Sequence, residues 1–410
     1  MFAELIYTFK RPFHLVKTGL LKGLPAQICY GFPAKKLKII CITGTDGKTT
    51  SSTLLYQVLK QAGKKVALLS TVAAYIGQEE IDTGFHVTTP DPAQLQKFMR
   101  RMLDEGYEYL VLEATSHGIY QYRLWGVTPF LVGFTNITNE HLDYHVNYRL
   151  YLQAKAELAN KAKTAVINAD DQMSFSSLKK KFTGAGKRVL TYSHADKLPP
   201  IVSKAISARF SQEFNKMNAR LVFTLAREVG LGNQDIAAGI AEFPGVPGRM
   251  QEIGSSRGVR VIVDFSHTAN GLHEALTHLR KNIPEKSRLI AVFGCAGLRD
   301  RQKRPVMGKT ATHIADLAVF TAEDPRTEDV WSIIRQMKQD VGNNHAKIIS
   351  LADRREAIFF AITQLARPGD VVGLFGKGHE KSMCYGTTEY SWSDAAVGQE
   401  ALDALAKKDK

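Results

Sequence analysis

The sequence predicts an α/β protein of two doubly wound domains, each built on a mostly parallel sheet. Three observations predict it. Apolar, β-branched runs alternate with helical periodicities in two separate series. A Pro/Gly-rich stretch, "EFPGVPGRM", stands between the series. At 410 residues the chain also exceeds what one ordinary core organises.

Bulk numbers narrow the partners. With 44% apolar and 23% charged residues, the composition is that of a soluble globular protein. The formal net charge of +14 favours anionic partners: nucleotides, phosphorylated sugars, nucleic acid or an anionic membrane surface. Cys29, Cys41, Cys295 and Cys384 are too scattered for a zinc pattern or a disulfide framework, which implies a reduced, cytoplasmic setting. No apolar run is long enough to cross a bilayer.

Residues 1–37 come first, as an amphipathic helical segment. Phe2, Leu5, Ile6, Phe9, Phe13, Val16 and Leu20 recur on one face, and Glu4, Lys10, Arg11, Lys17 and Lys22 lie mostly on the other. Charges interrupt the apolar region, so it is no signal peptide. Pro12 predicts a kink. Two readings stay open: a helix docked on its own protein, or a basic amphipathic helix resting on the inner surface of a membrane.

Residues 38–245 form the central domain. Its strands read "LKIICIT", "KVALLS", "YEYLVLEA", "FLVGFTN" and "TAVINA", with helical stretches such as "TSSTLLYQVLKQAG" and "PAQLQKFMRRMLDEG" between them. That alternation demands a parallel sheet covered on both faces. "SHADKLPPIVSKAISARFSQ" has weak periodicity and a Pro-Pro pair, and reads as irregular. "NKMNARLVFTLAREVG" reads as helix.

Between the first strand and the first helix lies "GTDGKTT". Backbone N–H groups around Gly47 and the helix N-terminus would cradle phosphate oxygens. Lys48 adds a positive charge, and the Thr49 hydroxyl can ligate magnesium. Only two residues separate Gly44 from Gly47, where the common P-loop has four. This is a P-loop-type domain with an ATP or GTP site.

Ligands of open parallel sheets gather at the carboxyl ends of strands. Glu113 stands at one such end with Thr115, Ser116 and His117 beside it, and Asn136, His141, Asp143 and His145 follow another. A carboxylate and an imidazole there could hold a metal bound to nucleotide phosphates, although each histidine reads equally well as a satisfied loop residue. Lys155, judged by spacing alone, reads as an exposed helix lysine.

Residues 246–410 carry the second series, with "VRVIVDFS", "SRLIAVFG", "ADLAVFTA" and "GDVVGLFG" as strands of a Rossmann-like α/β domain. Asp264, His267, Arg299, Arg326 and Glu380 follow these strands. The set suits a zwitterion or a ribose, with structural ion pairing as the plain alternative.

The strings "TGTDGKTT", "TTPDP", "EATSHG", "FTNITNEHLDYH", "YLQAKAEL", "NADD", "PGRM", "DFSHT", "VFGCAGLRD", "EDPRTED" and "GKGHE" resemble the Mur ligase family in content and order, between residues 38 and 394. They look most like its UDP-N-acetylmuramoyl-tripeptide synthetase branch, which adds the third amino acid of the peptidoglycan stem. The resemblance implies ATP-dependent amide formation: a carboxylate takes the γ-phosphoryl group, and an amine then displaces phosphate from the acyl phosphate. It implies ATP contacts from Gly44, Thr45, Asp46, Gly47, Lys48, Thr49 and Thr50, with Arg249, Asp264 and His267 closing over adenosine. Catalysis falls to Lys48, Glu113, His141 and Lys155. Thr49, Glu113 and His141 would serve magnesium, joined by Lys155 once CO₂ has carbamylated it, a change that turns a repelling cation into a ligating anion. That role displaces the plain reading of Lys155.

By the same resemblance Thr88, Thr89, Thr115, Ser116, Gln121 and Arg123 hold the acceptor. The Asp-Asn-Pro-Arg tetrad of diaminopimelate enzymes appears here as Glu323, Asp324, Pro325 and Arg326, with Arg299, Gly376 and Glu380 beside it. Arg326 favours meso-diaminopimelate over lysine, which offers it no carboxylate.

Departures accompany the match. Asp46 stands where the family usually has Asn, and Asn270 replaces a usual Asp. The segment before "EFNKMNAR" looks short. The uridine-diphosphate-binding N-terminal domain is not recognisable, which suggests a lipid-linked muropeptide near the membrane as an alternative acceptor. The expected assembly is a monomer. Folylpolyglutamate synthase is the nearest rival, but its loop ends Gly-Lys-Gly-Ser where this one ends Gly-Lys-Thr-Thr. The net charge also admits a non-catalytic nucleotide- or nucleic-acid-binding protein. Retention of Lys48, Glu113, His141 and Lys155 argues against it, and no nucleic-acid module appears.

Overall fold

In a computed structural model that describes residues 2–72, 74–76, 79–81, 89–342 and 346–407, the chain divides into two compact units, Met1–Pro244 and Gly245–Lys410. The first is organised by eight strands: β1 (Lys38–Thr43), β2 (Val66–Leu69), β3 (Ala74–Ile76), β4 (Glu79–Ile81), β5 (Tyr109–Glu113), β6 (Leu131–Phe134), β7 (Thr164–Asn168) and β8 (Arg188–Tyr192). They lie in the order β4-β3-β2-β5-β1-β6-β7-β8. Strands β2, β5, β1, β6, β7 and β8 run parallel, and β3 and β4 extend the sheet antiparallel.

Strand β1 is central, and Ile39, Ile40, Cys41 and Ile42 are all fully buried. Burial on both faces explains why the strand reads as a continuous apolar run. Its neighbours are the two strands with polar ends: Ile42 pairs with Glu113 of β5, and Thr43 with Phe134 of β6. Register alone therefore brings the loops after β1, β5 and β6 to one edge.

The stretch 200–209 corrects the sequence reading. It is a helix, Pro200–Arg209, in contact with the helix Asn233–Ala241. Pro200 occupies the first turn, where a missing N–H costs nothing, so the Pro-Pro pair starts the helix here. Short strands β3, β4 and β8 also escaped the sequence reading, because three to five residues carry little periodicity.

Residues 2–29 pack within the first unit as the helix Phe2–His14, a stretch of wider π-type turns at Leu15–Gly23, and the helix Leu24–Cys29. The helix continues through Pro12, and α geometry gives way only from Leu15.

The second unit holds β9 (Gln251–Ser256), β10 (Val259–Asp264), β11 (Leu289–Phe293), β12 (Leu317–Phe320), β13 (Lys347–Ser350) and β14 (Val371–Phe375), in the order β13-β12-β11-β14-β10-β9. Only β9 is antiparallel, and a separate hairpin pairs β15 (Ser382–Tyr385) with β16 (Thr388–Ser391). All four cysteines are free thiols.

Candidate active site

The loop after β1 is fixed by glycine geometry. Gly44 and Gly47 take φ values of 152° and 79°, in the region that side chains avoid. A Cβ on Gly44 would lie 1.8 Å from Thr135 Oγ1, and one on Gly47 would lie 2.3 Å from Asn218 Oδ1. The end of β6 holds the rest of the loop. Asp46 N donates to Asn136 Oδ1 at 3.0 Å, Thr135 Oγ1 donates to Asp46 O at 2.7 Å, and Thr138 N donates to Thr45 Oγ1 at 2.9 Å. Lys48 folds back, its Nζ donating to Thr45 O at 2.7 Å. Thr49 and Thr50 are buried in the first turn of the helix Lys48–Gln61. The result is a rigid turn opening onto a helix N-terminus, the geometry that accepts a phosphate.

Glu113 ends β5 and is buried. Its Oε1 accepts from Thr49 Oγ1 at 3.2 Å and from Thr71 Oγ1 at 2.9 Å, and its Oε2 accepts from Thr71 N at 3.1 Å. One carboxylate and two hydroxyls of the hard-oxygen type thus meet beside the phosphate loop. They fit magnesium, which takes one or two protein oxygens and completes its shell with phosphates and water. Among the described residues no three His, Cys, Asp or Glu side chains gather as an all-protein metal cage.

Lys155 contradicts the exposed-helix reading of its spacing. The helix Tyr148–Ala156 turns it inward, leaving it 1% exposed, with Nζ donating to Gly44 O at 2.6 Å and lying 4.7 Å from the Tyr151 ring centroid. Burial, reinforced by the charge of Lys48, pushes its pKa well below the ordinary lysine value. A buried amine that sheds its proton readily is a nucleophile toward CO₂, so the residue fits carbamylation.

His141 caps the helix Leu142–His145 with a positive φ of 55°, and its ring centroid lies 4.7 Å from that of His117. The loop after β5 collects the acceptor candidates. Thr115 caps the helix Ser116–Tyr120, its Oγ1 accepting from Gly118 N at 3.1 Å and standing 3.1 Å from Thr89 Oγ1. Arg123 Nη1 donates to Thr89 O at 3.1 Å, and Gln121 Nε2 donates to Tyr144 OH at 2.8 Å. Ser116 Oγ lies 3.0 Å from His145 Nε2. Burial, aided by His117 and Lys155, pushes the His145 pKa down to about 3, so the ring is a neutral bridge. Thr88 falls outside the described residues.

In the second unit, Asp264 closes β10 and accepts from Met250 N at 2.7 Å and Ser266 N at 2.8 Å. Arg249 stacks on Phe265 at 4.4 Å, and the rings of His267 and His379 pack on the same phenyl group at 4.4 and 5.0 Å. Beyond β12, Asp324 and Arg326 both adopt positive φ. Asp324 Oδ1 accepts from the buried Lys377 Nζ at 2.8 Å and from Cys384 N at 3.0 Å, while Arg326 Nη1 donates to Gly297 O at 2.8 Å. Glu380 pairs with Lys377 at 2.5 Å, so structural ion pairing does account for part of the mixed-charge set. Pro325 lies against the Gly297 backbone, where a Cβ on that glycine would come 1.9 Å from the Pro325 carbonyl oxygen. Gly376, at φ 106°, leaves room for Glu323, whose Oε2 would lie 2.5 Å from an added Cβ. Arg299 is exposed in the loop after β11.

Two family profiles match the chain, the Mur ligase middle domain over residues 42–227 and the Mur ligase glutamate ligase domain over residues 248–378. The UDP-N-acetylmuramoyl-L-alanyl-D-glutamate–2,6-diaminopimelate ligase of Clostridium botulinum is 37% identical over 368 residues, covering 86% of this chain and 75% of that one. The ligase of the same name from Geobacillus kaustophilus is 34% identical over 405 residues, covering 92% and 81%. The chain belongs to the Mur ligase family.

Among solved structures, a diaminopimelate ligase of that name aligns with this Mur ligase at a TM-score of 0.57 and 31% identity, covering 90% of this chain and 78% of the other. Mycobacterium tuberculosis folylpolyglutamate synthase, complexed with ADP and AMPPCP, aligns at a TM-score of 0.72 but 16% identity, covering 99% of each chain. At that identity the likeness shows the fold alone. As a Mur ligase the protein is an ATP-dependent amide-forming enzyme.

Three residues in contact with the candidate groups, one in the first unit and two in the second, went unnoticed in the sequence. Thr71 binds both Glu113 oxygens, and its place just after "KVALLS" is the strand-end signal that could have found it. Lys377 sits within "FGKGHE", but only the fold shows it buried between two carboxylates. Phe265 carries no sequence signal as a stacking platform, because an aromatic after a strand is usually core.

Proposed function

We propose that this ligase joins meso-diaminopimelate to a UDP-N-acetylmuramoyl dipeptide in peptidoglycan synthesis, using ATP with magnesium. One observation carries the chemistry: Lys155, buried beneath the phosphate loop, within electrostatic reach of the Glu113 carboxylate that accepts from Thr49. The named relatives, with Arg326 retained, support the substrates.

In this reading the loop Gly44–Thr50 holds the triphosphate through backbone N–H groups, and Lys48 swings from Thr45 O to the transferring phosphoryl oxygens. Magnesium supplies charge neutralisation there when bound, held by Thr49, Glu113, His141 and the Lys155 carbamate. Forming that carbamate joins the Lys155 nitrogen to CO₂ and releases one proton. Thr88, Thr89, Thr115, Ser116, Gln121 and Arg123 orient the acceptor so that its carboxylate takes the γ-phosphoryl group, with ADP leaving. Arg249, Asp264 and His267 hold the adenosine. Arg326, Arg299, Glu323, Asp324, Pro325, Gly376 and Glu380 orient diaminopimelate, whose amine displaces phosphate. The enzyme works as a cytoplasmic monomer with a peripheral membrane contact through residues 1–30.

The test is a substrate matrix: nucleotide-linked and lipid-linked muramoyl dipeptides against diaminopimelate, lysine and glutamate, with ADP release measured. Release dependent on both an acceptor and diaminopimelate is expected. Equal release with lysine removes the role given to Arg326.

A further inference from the structure

The N-terminal segment is docked by one face and bare on the other. Its inner face is built for contact. Tyr7 stacks on Tyr120 with centroids 4.3 Å apart, and its hydroxyl lies 2.7 Å from His145 Nδ1. Arg11 pairs with Glu157. Gly19 and Gly23 lie against Trp125, where an added Cβ would come within 2.6 Å of the indole in each case. The segment is thus a fixed part of the first unit.

Its outer face carries nine of the sixteen large apolar side chains that the described residues expose, all between Leu5 and Ile28. Phe9 is 70% exposed, Leu21 69%, Ile28 61% and Phe13 60%. At helical rise the row spans about 35 Å. Soluble monomers rarely display so continuous an apolar strip without a partner. Exposed Lys10 and Lys17 stand beside it.

We infer that this face lies flat on an anionic lipid bilayer surface, with its apolar side chains in the headgroup layer and the lysines on lipid phosphates. This partner follows from the peripheral contact proposed for residues 1–30 and is independent of the reaction catalysed. Charge complementarity selects it over a second copy of the chain. Two such faces would bring Lys10 and Lys17 against their own kind, within a chain already at +14, whereas an anionic bilayer supplies the opposite sign along the whole row. The strip also cannot cross the bilayer: among the described residues no helix is long and apolar enough to span one. Because Tyr7 and Ser116 flank the same buried His145 ring, the seated helix lies one side chain away from the candidate acceptor loop.

Flotation of the full chain with phosphatidylcholine vesicles, with and without phosphatidylglycerol, tests this. The chain floats with the anionic vesicles and far less with the neutral ones. Phe9→Glu combined with Leu21→Glu lowers the bound fraction at least about tenfold. Lys10→Gln combined with Lys17→Gln lowers vesicle affinity by about 25-fold, at roughly fivefold per lysine. ADP release from soluble substrates is unchanged in both variants, which separates loss of lipid binding from loss of the ligase reaction. Failure to float, or equal flotation of wild type and both variants, overturns the inference. So does a lipid-free dimer that Phe9→Glu/Leu21→Glu converts to monomer, because the face then belongs to a second copy.

Discussion

The side-chain nitrogen of Lys155 lies 2.6 Å from the main-chain oxygen of Gly44, in a space only 1% open to solvent. The same oxygen belongs to the glycine that begins the phosphate loop. An ammonium there is disfavoured by burial and by Lys48, so the neutral amine is the favoured form. Lys155→Met should lower turnover by about a thousandfold or more, the scale of losing a group aimed at developing charge. Its melting temperature should hold or rise, since the variant removes a poorly solvated amine. ADP release and thermal melts decide it, and near-native turnover in the variant sinks the assignment. Bicarbonate should restore activity to enzyme stripped of CO₂ without any need for alkaline pH, because burial already favours the unprotonated, reactive amine.

Glu113 is held by Thr49 of the phosphate loop and by Thr71, which follows β2. Glu113→Gln keeps the shape and removes the anionic oxygen that suits magnesium. The magnesium concentration for half-maximal turnover should rise about 10- to 100-fold, while the fold is retained. An unchanged magnesium titration would show that this carboxylate serves another purpose.

The main strands were legible because continuous burial writes itself as continuous apolar sequence. β1 and β14 show this most plainly, with core residues buried along their length. Lys155 was illegible from spacing, since helical periodicity cannot say which face a lone lysine takes. The ordered resemblance supplied what periodicity lacked. The helix at Pro200 was hidden for a different reason: a Pro-Pro pair reads as irregular unless the second proline falls in the first turn. Lys377 was hidden because the two acids that justify its burial, Asp324 and Glu380, are brought together only by the fold.

Arg326 donates to Gly297 O and is held at a positive φ of 53°, with its amide bonded to Cys384 O. A guanidinium held by the Gly297 carbonyl suits bidentate capture of a carboxylate. Arg326→Ala should lower kcat/KM for diaminopimelate by about 10- to 150-fold, the range for a hydrogen bond to a charged group. Any turnover of lysine should change little. Equal losses on the two amino acids would mean that the residue supports the loop rather than choosing the substrate.

Arg354 and Asp394 form a fully buried pair, with contacts at 2.6 and 2.8 Å. Arg354 also donates to Ala322 O and Phe375 O, tying together the ends of β12 and β14. Asp394→Ala leaves that guanidinium without its counter-charge and should cost the second unit about 3–5 kcal/mol. Urea unfolding reads the effect. Adding Arg354→Met to Asp394→Ala should recover part of it, because the stranded charge goes too.

Glu323 supplies the pH dependence. Burial pushes its pKa from the ordinary 4.5 up to about 7, against the opposing pull of Lys303, Arg354 and Lys377. Its Oε2 is buried without a hydrogen-bond partner among the described residues, so the charged form is the costly one. The folded chain therefore binds a proton more tightly than the unfolded chain. The contribution of Glu323 to stability is fullest below about pH 4.5 and declines as pH rises through about 7. Glu323→Gln mimics the protonated acid at every pH. Its melting temperature should match wild type near pH 5 and exceed it near pH 8, by a margin worth about 1–3 kcal/mol. A difference that is the same at both pH values would place the titration on another group.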